Sequence, residues 1–278
     1  MVSIVVTDPK IGARAVAVIV SDIGNPFYVD LTRGLADRLD ADGFLCLIGD
    51  CQNDEARQVA LAENFVAHGV DAMVVTTPHN PIVLGLDIPL VAVDRPRAEI
   101  PYVAVDNVLG GRLASQHLAR CGYQKIGILY AEKQLAPVAD RLEGYRDGLA
   151  RNDLDQDPSL EVECSALDYE GAYEGAMRLF DAGADGVFAI SDVMASGALA
   201  AATDRGLSVP GDLGIVGYDD TPMAAWPTVN LTSVAQGTFN LGSEAASLVL
   251  KRIDSPKMKL QPTILSPRLS IRGSTRDG

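Results

Sequence analysis

Positive charge is scarce in this chain: 23 Lys and Arg stand against 37 Asp and Glu, giving a formal net charge of −14. No run of Lys or Arg is longer than two residues. Phosphate contacts need clustered cations, so nucleic-acid binding by this segment itself is disfavoured. Long apolar runs are also missing, and no stretch reaches transmembrane length. Residues 1–10 contain Asp8 and lack the basic start and apolar centre of a signal peptide. A cytoplasmic location without membrane contact is therefore expected. The four cysteines, Cys46, Cys51, Cys121 and Cys164, are scattered, which reads as reduced thiols and not as a disulfide framework. His68, His79 and His117 have no ligand spacing, so no metal is expected. The phosphate-binding glycine fingerprints are missing too. Gly110-Gly111 opens a helix, but neither G-x-G-x-x-G nor G-x-x-x-x-G-K-[ST] occurs. No G-x-S-x-G elbow appears. A dinucleotide enzyme and an α/β-hydrolase are disfavoured, and no cofactor is expected.

What the chain does have is alternation. Its 278 residues are comfortable for two domains, and an apolar fraction of 47% can build their cores. Residues 15–21 form a continuous apolar run, as a strand buried on both faces requires. Asn25-Pro26 then reads as a helix cap followed by Pro at the first helical position. Phe27, Leu31, Leu35 and Leu39 recur every four residues, the apolar stripe of a helix. The pattern repeats, with further strands expected at 44–48, 72–76, 90–93, 102–105, 125–129, 161–164, 186–190, 213–216 and 231–235. Helices are expected at 54–67, 107–120, 139–151, 169–182, 193–205 and 238–252. Two extended pieces, 263–266 and 269–272, close the chain. Strands alternating with helices imply right-handed crossovers and parallel sheets. About eleven strands exceed what one twisted open sheet usually carries, so two sheets are expected.

Polar residues recur just after the strands, where parallel α/β sheets bind their ligands. They are Ser21-Asp22, Asp94-Arg95, Asp106-Asn107, Ser191-Asp192 and Asp219-Asp220. Any one of them alone reads as a helix cap. Together they read as the lining of a cleft. The pair Asp219-Asp220 is the most informative: two carboxylates emerge together from the strand Ile215-Val216. Ionised carboxylates accept hydrogen bonds and suit the hydroxyls or N–H groups of a small polar molecule. A catalytic carboxylate pair is the alternative. Arg141, near a helix start, is either a solvated surface residue or a fork for hydroxyls or a carboxylate. Phe27, Tyr28, Tyr169, Tyr218 and Trp226 are candidate stacking platforms.

These same residues resemble the LacI/GalR family of bacterial regulators. The segments that carry the likeness are Val18 to Tyr28, Pro101 to Asn107 with Gly110-Gly111 and His117-Leu118, and Arg141 with Gly144-Tyr145. Ser191-Asp192 and Gly206 to Pro210 continue it, followed by Gly217-Tyr218-Asp219-Asp220, Leu231 to Val234 with Gln236, and Arg268 to Ser274. The match runs in order from about Arg14 to Thr275. It implies an α/β fold of two doubly wound parallel-sheet lobes with a ligand cleft between them, of the periplasmic-binding-protein type. The lobes would be residues 14–106 plus 236–264 and residues 107–235 plus 265–278. The resemblance implies a non-enzymatic module that binds a small polar effector, a sugar or derivative, and forms a homodimer. Ser21, Asp22, Phe27, Asp94, Asp106, Arg141, Tyr169, Ser191 and Asp219 would contact the effector. Operator DNA would be read only through a helix-turn-helix, which residues 1–10 do not resemble. Two further departures stand out. Residues 76–87 contain Pro78 and Pro81 where the family has a full helix, so a turn is expected. Asn230 stands just before Leu231 to Val234, where Pro is more usual nearby. The alternative function is a sugar-binding protein of a transport system.

Overall fold

The first strand, β1 (Ala15–Val20), is six aliphatic residues, all buried. Its alternate side chains enter different layers: Val16, Val18 and Val20 join one core, and Ala15, Ala17 and Ile19 another. A strand with both faces covered needs no polar alternation, and its sequence has none. The computed structural model describes residues 14–76, 86–94 and 100–277. The proline-containing segment and residues 1–10 thus lie largely or wholly outside the described residues.

Five more strands join β1 in the first sheet: β2 (Leu45–Asp50), β3 (Ala72–Val75), β4 (Leu90–Val93), β5 (Tyr102–Val105) and β11 (Thr263–Leu265). The order is β11-β5-β4-β3-β1-β2, and every pair is parallel. The second sheet holds β6 (Ile126–Tyr130), β7 (Glu161–Glu163), β8 (Gly186–Ala189), β9 (Gly214–Asp219), β10 (Thr232–Ala235) and β12 (Arg268–Ser270). Its order is β12-β10-β9-β8-β6-β7, parallel except for the antiparallel edge strand β12. Each sheet reverses its strand order once, between β1 and β3 and between β6 and β8. Such switch points open a crevice at the carboxyl ends of the strands.

The helices are α1 (Pro26–Asp40), α2 (Glu55–Ala67), α3 (Asn107–Arg120), α4 (Ala136–Ala150), α5 (Tyr169–Asp181), α6 (Asp192–Asp204) and α7 (Thr238–Asp254). Asn25 caps α1, its side chain accepting from the Phe27 N–H at 3.0 Å. Leu31, Leu35 and Leu39 of α1 are fully buried in the same core as Leu241, Ala245 and Val249 of α7. Each leucine buried this way contributes roughly 1.5–3 kcal/mol. Two expectations shift. Helix α4 starts at Ala136 and not at residue 139, because Pro137 falls in its first turn, where the missing N–H has no partner to lose. The last crossing between sheets follows Leu265, which pairs with Val105 in the first sheet.

Candidate functional site

A cavity of about 310 Å³ lies between the carboxyl ends of the two sheets. The first sheet supplies Ser21 and Asp22 after β1, Thr76 after β3 and Asp94 after β4, with Phe27 and Tyr28 from α1. The second supplies Glu132 after β6, Ser191 after β8 and Asp219 at the end of β9, with Arg141 from α4. Gln236, between β10 and α7, stands where the chain crosses from one sheet to the other and also lines the cavity. Phe27 and Tyr28 meet edge to face, ring centroids 5.1 Å apart, and present an apolar wall.

Arg141 is buried and held on three sides. Its Nε donates to Asn107 Oδ1 at 2.8 Å, and Nη1 donates to the Ile190 carbonyl at 2.7 Å. Its guanidinium carbon lies 3.8 Å from the centroid of the Tyr218 ring. The Tyr218 hydroxyl donates to the same Asn107 oxygen at 3.0 Å, so ring and guanidinium share one anchor. Among the described residues, Nη2 donates to no protein acceptor and no carboxylate forms an ion pair with this arginine. The helix pair that carries it is tightly packed: a Cβ on Gly111 would strike the Arg141 carbonyl, and one on Gly144 would strike the Val108 carbonyl. Close backbone approach of α3 and α4 therefore sets the depth of the arginine.

Asp219 is 7% exposed and has φ +107, an unusual backbone angle for a residue with a side chain. Gln236 Nε2 donates to its Oδ1 at 2.6 Å. Burial pushes the Asp219 carboxyl well above the ordinary carboxylate range; the Arg141 charge opposes this and Asp192 adds to it. The Gln236 carbonyl oxygen is buried without a hydrogen-bond partner. A buried acceptor left open costs stability unless something fills it. A ligand donor in the cavity would do so.

Asp219 and Asp220 do not emerge together. Asp220, at φ +53, turns away: Ser270 Oγ donates to its Oδ2 at 2.7 Å, and Arg272 Nη2 lies 2.6 Å from its Oδ1. Two other expected positions also fall elsewhere. Asp106 caps α3, accepting from the Leu109 N–H at 2.9 Å, and does not line the cavity; its neighbour Asn107 reaches Arg141 instead. Tyr169 is absent from the lining: it opens α5 with its carbonyl close to Gly197, and the residue is 40% exposed. The preceding Asp168 lines the cavity in its place. Tyr218 is a core residue beneath Arg141, and Trp226 is exposed outside the cavity. Ser191 both lines the cavity and caps α6, accepting from the Met194 N–H at 3.2 Å. Its neighbour Asp192 is buried in a separate network with Thr221 and Ser233. Arg95 lies outside the described residues. Asn53, Thr76, Glu132, Asp168 and Gln236 line the cavity without having been singled out as ligand contacts. Each follows a strand within a few residues, so the same polar-after-strand rule, applied to every strand, finds them.

Among the described residues, no group of three or more His, Cys, Asp or Glu could hold a metal ion. Nor is any of their helices long and apolar enough to cross a membrane. The model of the periplasmic binding protein-like domain family matches residues 115–275. The HTH-type transcriptional repressor CytR of Escherichia coli is 29% identical over 273 residues, spanning 95% of this chain and 80% of that protein. The ribose operon repressor of Halalkalibacterium halodurans is 30% identical over 268 residues, with 95% and 80% covered. A LacI family transcriptional regulator from Enterococcus faecium, solved with bound ribose, superposes with a TM-score of 0.85 at 28% identity, covering 95% of this chain and 99% of that one. These relatives are regulators and not transport components. The chain belongs to the periplasmic binding protein-like domain family and, within it, to the LacI-type transcriptional regulators.

Proposed function

We propose that the cleft binds a sugar or sugar derivative of monosaccharide size and that its occupancy sets the balance between two arrangements of the lobes. The observation that carries this reading is the meeting of Arg141, Asp219 and Gln236 in one cavity between the sheets. A guanidinium with an unused donor, a buried carboxyl and an open carbonyl oxygen suit a ring of vicinal hydroxyls. The Phe27–Tyr28 wall suits the apolar face of that ring. The volume, about 310 Å³, fits a small ligand. The ribose bound by the Enterococcus faecium relative and the name of the Halalkalibacterium halodurans repressor support a pentose as the first test ligand. Ser21, Asp22, Asp94 and Ser191 complete the proposed contacts.

Ligand contact at Gln236 lies one residue from Gly237, which starts the crossing into α7. Differential contacts in two lobe arrangements are what a ligand needs to shift their populations. In this proposal no bond is made or broken; the divergence of Asp219 and Asp220 speaks against a carboxylate pair flanking a scissile bond. The rest of the proposal is a cytoplasmic homodimer that reads operator DNA through a helix-turn-helix outside these 278 residues. Exposed Leu45 and Leu47, which share one side of the edge strand β2, offer an apolar face for a second copy.

Titration calorimetry against D-ribose and a panel of other pentoses and hexoses tests the reading. Arg141→Ala is expected to weaken binding by on the order of 2–5 kcal/mol, since it strips a buried charged donor from its partner. Unchanged affinity in a folded variant would return Arg141 to a structural role.

A further inference from the structure

We infer that the cleft selects an uncharged, donor-rich sugar and excludes its phosphate esters. The inference rests on the sugar-binding reading above and concerns which sugars are admitted. Among the described residues, five carboxyl groups line the cavity: Asp22, Asp94, Glu132, Asp168 and Asp219. Among the described residues Arg141 is the single cation in the lining. Arg95 and Arg97 follow Asp94 in the chain and lie outside the described residues; with both counted, carboxyl groups still outnumber cations five to three.

These carboxylates are held in place. Asp22 accepts from the Gly24 N–H at 2.8 Å, Asp94 from Val105 at 3.1 Å and Asp168 from Gly171 at 2.8 Å. In Asp22 and Asp168 the bond takes Oδ1 alone, and Oδ2 receives nothing from the protein among the described residues. Glu132 accepts no protein hydrogen bond there, and the adjacent Lys133 pairs with Glu163 at 3.4 Å instead. Three of the helix N-termini beside the cavity, the usual backbone seats for phosphate, are already taken. Asn25, Asp168 and Ser191 each occupy one with a side-chain acceptor, in α1, α5 and α6. Helices α4 and α7 carry no side-chain cap, and in α4 Pro137 in the first turn has no N–H to offer.

The independent observation is the Gln236 carbonyl oxygen, buried at the crossing without a partner in a residue 2% exposed. It can only accept. Acceptors at the rim and an open acceptor in the depth all call for ligand hydroxyls. A phosphate ester carries about two negative charges and replaces a donor by acceptors, so it meets like charge at the free carboxylate oxygens and offers nothing to the Gln236 carbonyl.

The test is calorimetry with D-ribose and D-ribose 5-phosphate, repeated with the other monosaccharides of the panel and their phosphate esters. The sugar that binds is expected to exceed its ester by at least about 100-fold, because several like charges are brought together. The gap should shrink between about 0.02 M and 0.5 M salt, since exposed charges are screened. It should shrink also in the double variant Glu132→Gln, Asp168→Asn, where Asn keeps the cap of α5. An ester binding within about tenfold of its sugar overturns the inference and leaves the sugar reading standing. A gap that neither salt nor the double variant moves assigns the exclusion to size and overturns it as well. If no sugar and no ester binds, the sugar reading itself fails and takes the inference with it.

Discussion

The residue on which the site turns is Asp219. A side-chain-bearing residue at φ +107 stores strain of about 1–3 kcal/mol, which the surrounding structure must hold. Pairing of Asp219 with Ala235 holds it on one side, and the Ser233 hydroxyl, accepting from the Asp220 N–H at 3.1 Å, on the next. The reward of that backbone is a carboxyl turned to the cavity while its neighbour turns to Arg272. Burial raises the Asp219 carboxyl, so the ligand-free protein holds this proton more tightly than the unfolded chain does. Its contribution to stability is full below the unfolded value of roughly 4 and is lost as pH rises through the raised value. Ligand hydroxyls favour the ionised form. Binding near neutral pH is therefore expected to release protons, and affinity to rise with pH until the free carboxyl has ionised. Calorimetry in two buffers of different ionisation enthalpy measures the release. Asp219→Asn should bind more weakly and release none through this group; the same proton count in both proteins would move the effect to another residue.

At the scale of elements, the site depends on how closely α3 and α4 approach. Gly144→Ala places a methyl against the Val108 carbonyl and must push the helices apart. Overpacking of this kind costs about 1–3 kcal/mol. The variant should lose stability in urea and, because Arg141 rides on α4, also lose effector affinity. Loss of stability with affinity intact would mean that Asn107 and Tyr218 hold the guanidinium without help from the helix spacing. Most elements were legible in the residues alone, because strands buried on both faces read as unbroken runs such as Ala15 to Val20. The capped helix after Asn25 was legible for the same kind of reason. Less legible was which polar residue of a capping pair would face the ligand. Asp106 and Asn107 are chemically alike in sequence, and only the turn into α3 decides that the aspartate caps while the asparagine reaches Arg141. The shift from Tyr169 to Asp168 has the same origin, a helix that begins with its aromatic ring outward. Gln236 follows β10 directly, so the polar-after-strand rule extends to it, and only the open carbonyl oxygen is invisible along the chain. Asn230, just before Leu231, has φ +47, an angle that Pro cannot adopt.

For the whole molecule, the ligand sits between two bodies that are each built from separated stretches of chain. The first sheet begins with β1 and is finished only by β11, and α7 completes its core between them. The fully buried core of the second sheet lies between Ala114 and Val234, and only its edge strand β12, with Leu269 packed against that core, comes later. This interleaving has a consequence for the order in which the protein is made. As the chain leaves the ribosome, Leu31, Leu35 and Leu39 must wait for Leu241, Ala245 and Val249 before their shared layer can close. The body that starts first thus closes its core after the second has closed its own, the reverse of the usual order for nascent domains. Chains arrested with residue 236 just outside the exit tunnel should protect the 107–235 segment from protease while leaving 14–106 open to it. Protection of both at that length would mean that the first sheet can close without α7.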